Sequence, residues 1–266
     1  MRQFYVSDLD GTLLRNDATL SPFSCDNLNR MLDAGMAFTA ASARSVVSMG
    51  EVLKGLNLRL PVIEFNGAFI SNLVTGEHLV INELPSHILP DLHDCIFRHR
   101  CIPIVSTFNG ECDCLYYDCT RIINAGIKAY VDNRTTARDR RLRPVHDLGC
   151  AYSDRVVCLT IVDRKETLEP LRVVLHERYG DVIETHLFED AYAHGWFWLT
   201  AHDRTATKDQ AIATLARKNE YPLESVAVFG DQTNDVRMFR TAARSVAVSN
   251  AVPELKLLAH EIIGSN

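Results

Sequence analysis

The sequence predicts an α/β protein whose core is a doubly wound parallel sheet, interrupted by a second α/β segment. Short apolar, β-prone runs alternate with helical patterns at both ends of the chain. This rhythm implies parallel strands joined by right-handed crossovers. Between residues 84 and 188 the rhythm gives way to mixed strands and helices. We therefore expect a core of residues 1–83 and 189–266, with an inserted domain of residues 84–188.

Length and composition are typical of a soluble globular protein with a sizeable core. The chain has 266 residues, of which 47% are hydrophobic and 23% charged, which suits a core with an inserted smaller domain. A net charge of −6 and a pI near 5.9 argue against nucleic acid as a partner. No apolar run has membrane-spanning length, and the first residues lead directly into a strand without a signal peptide. We expect a cytoplasmic protein with reduced thiols and no membrane partner; the sequence indicates no oligomeric state.

The elements before the insertion follow the core rhythm. After the first strand, residues 22–34 carry an apolar stripe that predicts a helix ended by Gly35. Residues 36–41 form a continuous apolar run, typical of a strand buried on both faces. The remaining elements are a helix (45–56), a strand (61–65) and a β-hairpin (69–73 and 79–82) at the edge of the core.

The inserted segment and the return to the core are predicted from the same patterns. Residues 196–200 are interpreted as the strand that returns to the core, with Trp196 and Trp198 on one face for packing, or with one of them lining a pocket. Helices are expected over residues 88–99, 120–131, 166–179, 206–218, 234–242 and 253–259, and strands over 102–107, 112–117, 155–162, 182–188, 226–229 and 246–248.

Two clusters in the insertion each have a functional and a bland interpretation. A run of five arginines could grip an anion, although a solvated loop is favoured because screened surface charge is inexpensive to expose. Three cysteines could bind zinc, although they lack a Cys-x-x-Cys pair, which favours an ordinary strand. The residues are Arg134, Arg138, Arg140, Arg141 and Arg143 in the first cluster, and Cys112, Cys114 and Cys119 in the second.

The first strand ends in Asp8-Leu9-Asp10-Gly11. Two carboxylates this close repel each other unless a cation or a shared proton relieves them. Gly11 favours a tight turn whose backbone N–H groups can bind an anion. Mg²⁺ suits such a pair, since it prefers oxygen ligands and is often shared with substrate phosphate. Taken alone, the same residues are common in acidic turns.

Polar residues follow four of the expected core strands. In an open parallel sheet, ligands bind outside the carboxyl ends of the strands, so these side chains are expected at one edge. Asn234 and Asp235 follow at the start of a helix, where they could also act as N-caps. The strand-end residues are Asp8 and Asp10, Ser42, Asn66 and Asp231.

These motifs, in this order, resemble those of the haloacid dehalogenase superfamily phosphatases. The tail at residues 249–256 resembles that of the Cof-like branch, in which a large α/β cap (type IIB) is inserted after the third core strand. The resemblance implies a Rossmann-like core and a cap that closes over the site and selects the substrate. The matching segments are Asp8-Leu9-Asp10-Gly11-Thr12, Ser42-Ala43-Arg44, Asn66-Gly67-Ala68, Lys208 and Gly230-Asp231-Gln232-Thr233-Asn234-Asp235.

The resemblance also implies an activity: a Mg²⁺-dependent phosphatase acting on small phosphorylated metabolites, with sugar phosphates expected first. Asp8 would be the nucleophile that forms an aspartyl-phosphate, and Asp10 the general acid–base. Mg²⁺ would be bound by the Asp8 carboxylate, the Asp10 backbone carbonyl and Asp231. Ser42, Lys208 and Thr12 would hold the phosphate, and Asp235 would orient Lys208 or a metal-bound water. Asn234, Arg44 and Asn66 would give support, the last two through contacts that are either on the substrate side or structural.

Two departures from the family pattern keep alternatives open. Ala43 and Asp209 stand where the family usually has glycine, and an acid beside Lys208 could weaken the local positive potential. A phosphomutase on the same scaffold is one alternative, and a catalytically decayed binding or regulatory protein is another. Every acid that the chemistry requires is present, which argues against decay. Individually, Lys208 could be a solvated helix lysine and Ser42 a helix cap.

Overall fold

A computed structural model describes residues 3–190 and 193–265 of the chain. These residues form two compact units. The core unit combines the segment up to Ile81 with the segment from Ala206, and the inserted unit runs from Asn82 to Thr205. Within the described residues, no helix has the length and apolar character needed to span a membrane.

The first segment of the core unit alternates strands with helices, as the sequence predicts. Ser21 caps the first helix, where its hydroxyl accepts a hydrogen bond from the backbone N–H of Ser24 at 2.9 Å, and Pro22 suits the first helical position. The elements are β1 (Phe4–Ser7), α1 (Pro22–Asp33), β2 (Ala37–Ala40), α2 (Val46–Val52), β3 (Val62–Glu64), β4 (Phe69–Ser71) and β5 (His78–Ile81).

The inserted unit contains a six-stranded sheet in the order β10-β11-β9-β6-β7-β8 within the described residues. All its neighbouring strands are antiparallel except β7 and β8. Leu92 and Ile96 of α3 and Leu168 and Leu171 of α5 belong to its apolar core. The elements are α3 (Leu89–Arg98), β6 (Ile104–Phe108), β7 (Asp113–Asp118), α4 (Ala125–Thr136), β8 (Leu142–Val145), β9 (Arg155–Asp163), α5 (Lys165–Tyr179), β10 (Ile183–Glu189) and β11 (Phe197–Asp203).

The second segment of the core unit completes a parallel sheet. Its described strands lie in the order β14-β13-β12-β1-β2, and every neighbouring pair is parallel. A parallel bridge from Ala41 to Ile63 continues the sheet toward β3, which forms an antiparallel sheet with β4 and β5. The elements are α6 (Lys208–Lys218), β12 (Val226–Gly230), α7 (Val236–Thr241), β13 (Arg244–Val248), α8 (Pro253–Leu258) and β14 (Glu261–Ile263).

Helices cover both faces of the parallel sheet. Successive residues of a strand point to opposite faces. Phe4 of β1 packs in one apolar cluster with residues of α6 and α7, whereas the neighbouring Tyr5 packs against a cluster that includes Leu28 and Leu32 of α1. The predicted doubly wound α/β core is therefore confirmed.

The boundary of the inserted unit differs from the prediction. The strand expected to return to the core, β11, instead pairs with β9 and β10, so the inserted unit continues to Thr205. Its apolar Leu199 lies opposite Ile161 of β9 and joins the inserted unit's own core. Strands β8 and β14 were not predicted; the first contains Pro144, and the second is only three residues long.

Two arginines of the insertion's basic run make contacts within the inserted unit. Arg141 is buried and pairs with Asp139 at 2.7 Å, and the Arg134 guanidinium lies 3.3 Å from the centre of the Tyr130 ring. The expectation of a solvated loop is therefore wrong for these two arginines. Trp198 donates from its ring N–H to Asp190 at 2.9 Å. Across the described residues, no group of three potential metal ligands includes a cysteine.

Candidate active site

The site begins where β1 ends. Asp8 is 6% exposed, and its backbone N–H donates to the carbonyl of Phe229 at 2.9 Å, which ties the end of β1 to β12. The Lys208 ammonium donates to Asp8 Oδ1 at 2.6 Å and to Asp235 Oδ1 at 2.7 Å. Lys208 lies at the start of α6 and is 2% exposed. The interpretation of Lys208 as a solvated helix lysine is therefore excluded.

Asp235 connects Lys208 to the loop after β12. Its second oxygen, Oδ2, accepts from the backbone N–H groups of Asp231 at 3.0 Å and Gln232 at 3.1 Å. Both oxygens of this fully buried carboxylate thus have partners within the core unit. Asp235 therefore holds the loop that carries Asp231 in place and orients Lys208.

Burial dominates the electrostatics of the cluster. It raises the pKa of Asp8 well above its ordinary value, against the opposing attraction of Lys208, while Asp235 and Asp231 add repulsion. Burial, followed by repulsion from Asp235, raises the pKa of Asp231 to about 6. Burial acts to lower the pKa of Lys208, but the attraction of Asp235 and Asp8 outweighs it and raises that pKa. The single positive charge of Lys208 does not balance all three carboxylates, so a bound cation can balance the negative charge that remains.

The donor set fits a small, hard divalent cation. Carboxylate oxygens of Asp8, Asp231 and Asp235 lie within 4.8 Å of one another. Asp235 is already engaged through both oxygens, whereas Lys208 takes one oxygen of Asp8 and Thr12 takes one oxygen of Asp231 at 2.8 Å. Asp8 and Asp231 are therefore the better candidate ligands, and an all-oxygen set matches the preference of Mg²⁺.

The turn after β1 leaves no room for a side chain at Gly11. Its φ is +82°, and a Cβ atom would lie 2.9 Å from Asp231 Cγ and overlap the carboxylate. Thr12 donates its hydroxyl to Asp231 and its backbone N–H to Leu9. Thr12 therefore supports Asp231, and its contact with phosphate stays a prediction.

Asp10 is held by Arg44. Arg44 donates from Nε to Asp10 Oδ2 at 2.7 Å and from Nη2 to Asp10 Oδ1 at 2.6 Å. The Asp10 side chain is 29% exposed and the Arg44 side chain 19%, so this pair is less buried than Asp8 and Lys208. The Asp10 carboxylate is thus paired with Arg44 and does not belong to the group formed by Asp8, Asp231 and Asp235.

Ser42, Asn66 and Asn234 come together from three separate loops. The Ser42 hydroxyl accepts the backbone N–H of Arg44 at 3.2 Å, and the Ser42 carbonyl accepts that of Asn66 at 2.9 Å. Asn234 donates to Asn66 Oδ1 at 3.1 Å. The site residues expected from the sequence therefore lie at the carboxyl edge of the parallel sheet.

A hydrogen bond that the sequence did not predict joins the loop after β13 to the turn after β1. Asn250, in the loop after β13, donates its side-chain amide to the carbonyl of Gly11 at 2.7 Å. This bond ties that loop to the turn after β1.

Asp209 lies in the first turn of α6, where a negative charge is favourable to the helix dipole.

Comparison with known proteins shows the family to which the chain belongs. The sequence profile of the haloacid dehalogenase-like hydrolases matches residues 5–266. The chain therefore belongs to this family of hydrolases, and the resemblance noted from its motifs is confirmed.

Relatives and solved structures cover nearly the whole chain. A 5-amino-6-(5-phospho-D-ribitylamino)uracil phosphatase from Bacillus subtilis is 23% identical over 97% of this chain and 91% of its own length. An HMP-PP phosphatase from Enterobacter is 26% identical over 96% and 87%, respectively. The structure of a haloacid dehalogenase-like hydrolase from Bacteroides thetaiotaomicron has the same fold, with a TM-score of 0.78, 22% identity, and coverage of 100% and 95%. The expectation of a hydrolytic enzyme is thus confirmed.

Proposed function

We propose that the protein is a Mg²⁺-dependent phosphatase that hydrolyses small phosphorylated metabolites through an aspartyl-phosphate. The observation that carries the proposal is the buried Lys208 held between Asp8 and Asp235 at the end of β1. This arrangement keeps one carboxylate beside a fixed positive charge, at the edge where parallel sheets bind ligands. Family membership supports the same assignment.

Asp8 is the proposed nucleophile. A carboxylate oxygen of Asp8 attacks phosphorus, and the bond between phosphorus and the leaving oxygen breaks. The hydrogen bond from Lys208 fixes the orientation of Asp8, and the ammonium offsets negative charge as two anionic groups approach. Water then attacks phosphorus, the bond to Asp8 breaks, and inorganic phosphate leaves. The covalent route divides one difficult displacement into two easier ones.

Asp10 is the proposed general acid–base. In the first step it gives a proton to the leaving oxygen, and in the second it takes a proton from the attacking water. Its exposure is greater than that of Asp8, which suits a group that must meet both the leaving group and water. Among the described residues, the Ser42 hydroxyl accepts the backbone N–H of Arg44 and donates to no acceptor, so it can donate its proton to a phosphoryl oxygen.

Mg²⁺ is the proposed cofactor, with Asp8, Asp231 and the Asp10 backbone carbonyl as its ligands. When bound, the cation would neutralise charge between the nucleophile and the phosphate and polarise a phosphoryl oxygen. The raised pKa values of Asp8 and Asp231 support this, because buried carboxylates that repel each other gain stability from a cation.

The substrate class is proposed from chemistry and relatives together. One relative is named a phosphatase of 5-amino-6-(5-phospho-D-ribitylamino)uracil, and another is named an HMP-PP phosphatase. We place sugar phosphates first among the candidates, and we expect the inserted unit to supply the residues that choose among them. Neither nucleic acid nor membrane is a proposed partner.

A phosphate-release assay tests the proposal. Wild type, Asp8→Asn and the exposed control Asp26→Asn are compared on sugar phosphates and an aryl phosphate, with Mg²⁺ and with EDTA. We expect release that requires Mg²⁺, persists in the control and is lost in Asp8→Asn. An inert wild type, or an isomerised sugar phosphate in place of free phosphate, would contradict the proposal.

A further inference from the structure

The loop after β3 holds a strained turn against the start of α6. Phe65 and Asn66 both adopt left-handed backbone conformations, with φ of 46° and 56°. Gly67 follows with φ of +116°, and a Cβ atom there would lie 2.6 Å from the carbonyl oxygen of Thr207. Two consecutive non-glycine residues in this region are costly, and such strain clusters at ligand-binding sites. The turn therefore fixes Asn66 beside the chain that leads into Lys208.

The side chain of Asn66 spans the end of β1. Strand β3 lies beyond β2, on the opposite side of β1 from β12. Nevertheless, Asn66 Oδ1 accepts a hydrogen bond at 3.1 Å from Asn234, which follows β12. The two loops can meet only across the carboxyl end of β1, where Asp8 and Lys208 form their ion pair. Asn66 therefore lies within the candidate site.

The amide of Asn66 has one partnered end and one unpartnered end. Its oxygen is held by Asn234, which fixes the direction of the opposite –NH₂ group. That nitrogen is buried and has no hydrogen-bond partner among the described residues, although Asn66 itself is only 1% exposed. A buried donor left without an acceptor is destabilising, and native proteins keep such groups rarely. An acceptor supplied by a ligand accounts for both the strain and the orphaned donor.

We propose that Asn66 Nδ2 donates a hydrogen bond to a non-bridging oxygen of the substrate's phosphoryl group. This inference rests on the proposed phosphatase function. A phosphoryl group entering beside three buried carboxylates requires donors that offset its charge. Asn66 supplies a neutral donor whose orientation is set before the ligand arrives, so little ordering is needed on binding. It complements Lys208, which acts as a point charge.

Three variants separate this contact from a structural role. Asn66→Gly keeps the left-handed backbone accessible and removes the amide. Asn66→Asp keeps the size and the acceptor for Asn234, tolerates the left-handed conformation and loses the donor. Asn72→Asp is the matched control, because Asn72 is exposed and its oxygen only accepts from the N–H groups of Val74 and Thr75, which Asp can also do. The probe is inorganic phosphate, titrated by calorimetry with Mg²⁺ present.

We expect Asn66→Gly to weaken phosphate binding about tenfold or more, the range for a hydrogen bond to a charged group. Asn66→Asp should weaken it further, since a carboxylate repels the anion, and Asn72→Asp should leave it unchanged. Melting temperatures identify misfolded protein. If Asn66→Gly does not fold, the phosphate affinity of Asn66→Asp tests the proposed contact. A folded variant with wild-type phosphate affinity would overturn the inference, even if kcat/KM fell, because the contact would then be with the leaving group. A wild type that neither binds phosphate nor releases it would refute the proposed function itself.

Discussion

Arg44 grips both oxygens of Asp10 through two parallel hydrogen bonds, of 2.7 Å from Nε and 2.6 Å from Nη2. The guanidinium is itself braced, because Nη1 donates to the Ser48 hydroxyl at 2.9 Å. A bidentate pair of this kind fixes the plane of the carboxylate as well as its position. Arg44 therefore sets the orientation of the Asp10 carboxylate, the proposed general acid–base of the reaction.

Arg44→Gln is expected to impair leaving-group protonation more than phosphoryl binding. General acid catalysis contributes roughly 10²–10⁴-fold, and it matters most when the leaving alkoxide is a strong base. We expect kcat/KM on an alkyl phosphate to fall at least tenfold more than kcat/KM on an aryl phosphate with a good leaving group, because kcat/KM reports the step in which the leaving group departs. Steady-state kinetics on the two substrates measure the ratio. Arg59→Gln, at an exposed ion pair with Asp33, is the control, and an equal loss on both substrates would refute the positioning role.

Lys208→Met is expected to destabilise the protein as well as inactivate it. The variant leaves Asp8, Asp231 and Asp235 buried together without their ammonium partner. Removing one member of a buried ion pair typically costs about 3–5 kcal/mol of unfolding free energy. Urea denaturation in EDTA measures this quantity. A loss below 1 kcal/mol would show that the cluster is more hydrated than its burial indicates.

Asp8→Asn should inactivate the enzyme without that loss of stability. Lys208 keeps its hydrogen bond to Asp235, and the cluster loses one of three mutually repelling negative charges. We therefore expect the unfolding free energy in EDTA to equal or exceed that of wild type, as is common when function requires a destabilised site. The same denaturation series tests this expectation, and a loss comparable to that of Lys208→Met would contradict it.

The sequence predicted the positions of the site better than its contacts. Asp8 and Asp231 were predictable, because polar residues directly after buried parallel strands must lie at one edge. The two hydrogen bonds from Arg44 to Asp10 were not predictable, because they depend on how two loops fold toward each other. The sheet to which β11 belongs was also missed: its apolar alternation is compatible with either sheet, and only pairing with β9 and β10 decides it.

Gly11→Ala is expected to weaken Mg²⁺ binding, because the added methyl group would displace the Asp231 carboxylate. Disturbing a group that orients a metal ligand typically costs 10–100-fold in affinity. We expect Mg²⁺ to raise the melting temperature of wild type, and to do so in the variant only at concentrations about tenfold higher or more. Gly35→Ala is a matched control: Gly35 also has a positive φ, of 92°, but no atom lies within 4 Å of its added Cβ. Equal Mg²⁺ responses in the two variants would exclude the proposed contact.

Outside the site, His202 is expected to make the stability of the inserted unit sensitive to acid. It lies on β11 and is 1% exposed, with Nε2 3.8 Å from the Cys158 sulfur. Burial lowers the pKa of His202 from 6.5 to about 4. Between these values the unfolded chain takes up a proton that the folded chain does not.

The contribution of His202 to the unfolding free energy is therefore expected to fall by up to about 3 kcal/mol as the pH drops from about 6.5 to about 4. Above pH 6.5 the imidazole of His202 is neutral in both the folded and the unfolded chain, so it makes no pH-dependent contribution. Below pH 6.5 only the unfolded chain binds the proton, and this lowers the unfolding free energy. Urea denaturation at pH 7 and pH 5 should show a smaller pH-dependent loss in His202→Asn than in wild type. His194→Gln, at a histidine whose side chain is 92% exposed, should retain the wild-type dependence. If His202→Asn loses stability with pH as steeply as wild type, the acid sensitivity arises from other groups, because only the buried imidazole at position 202 differs between the two proteins.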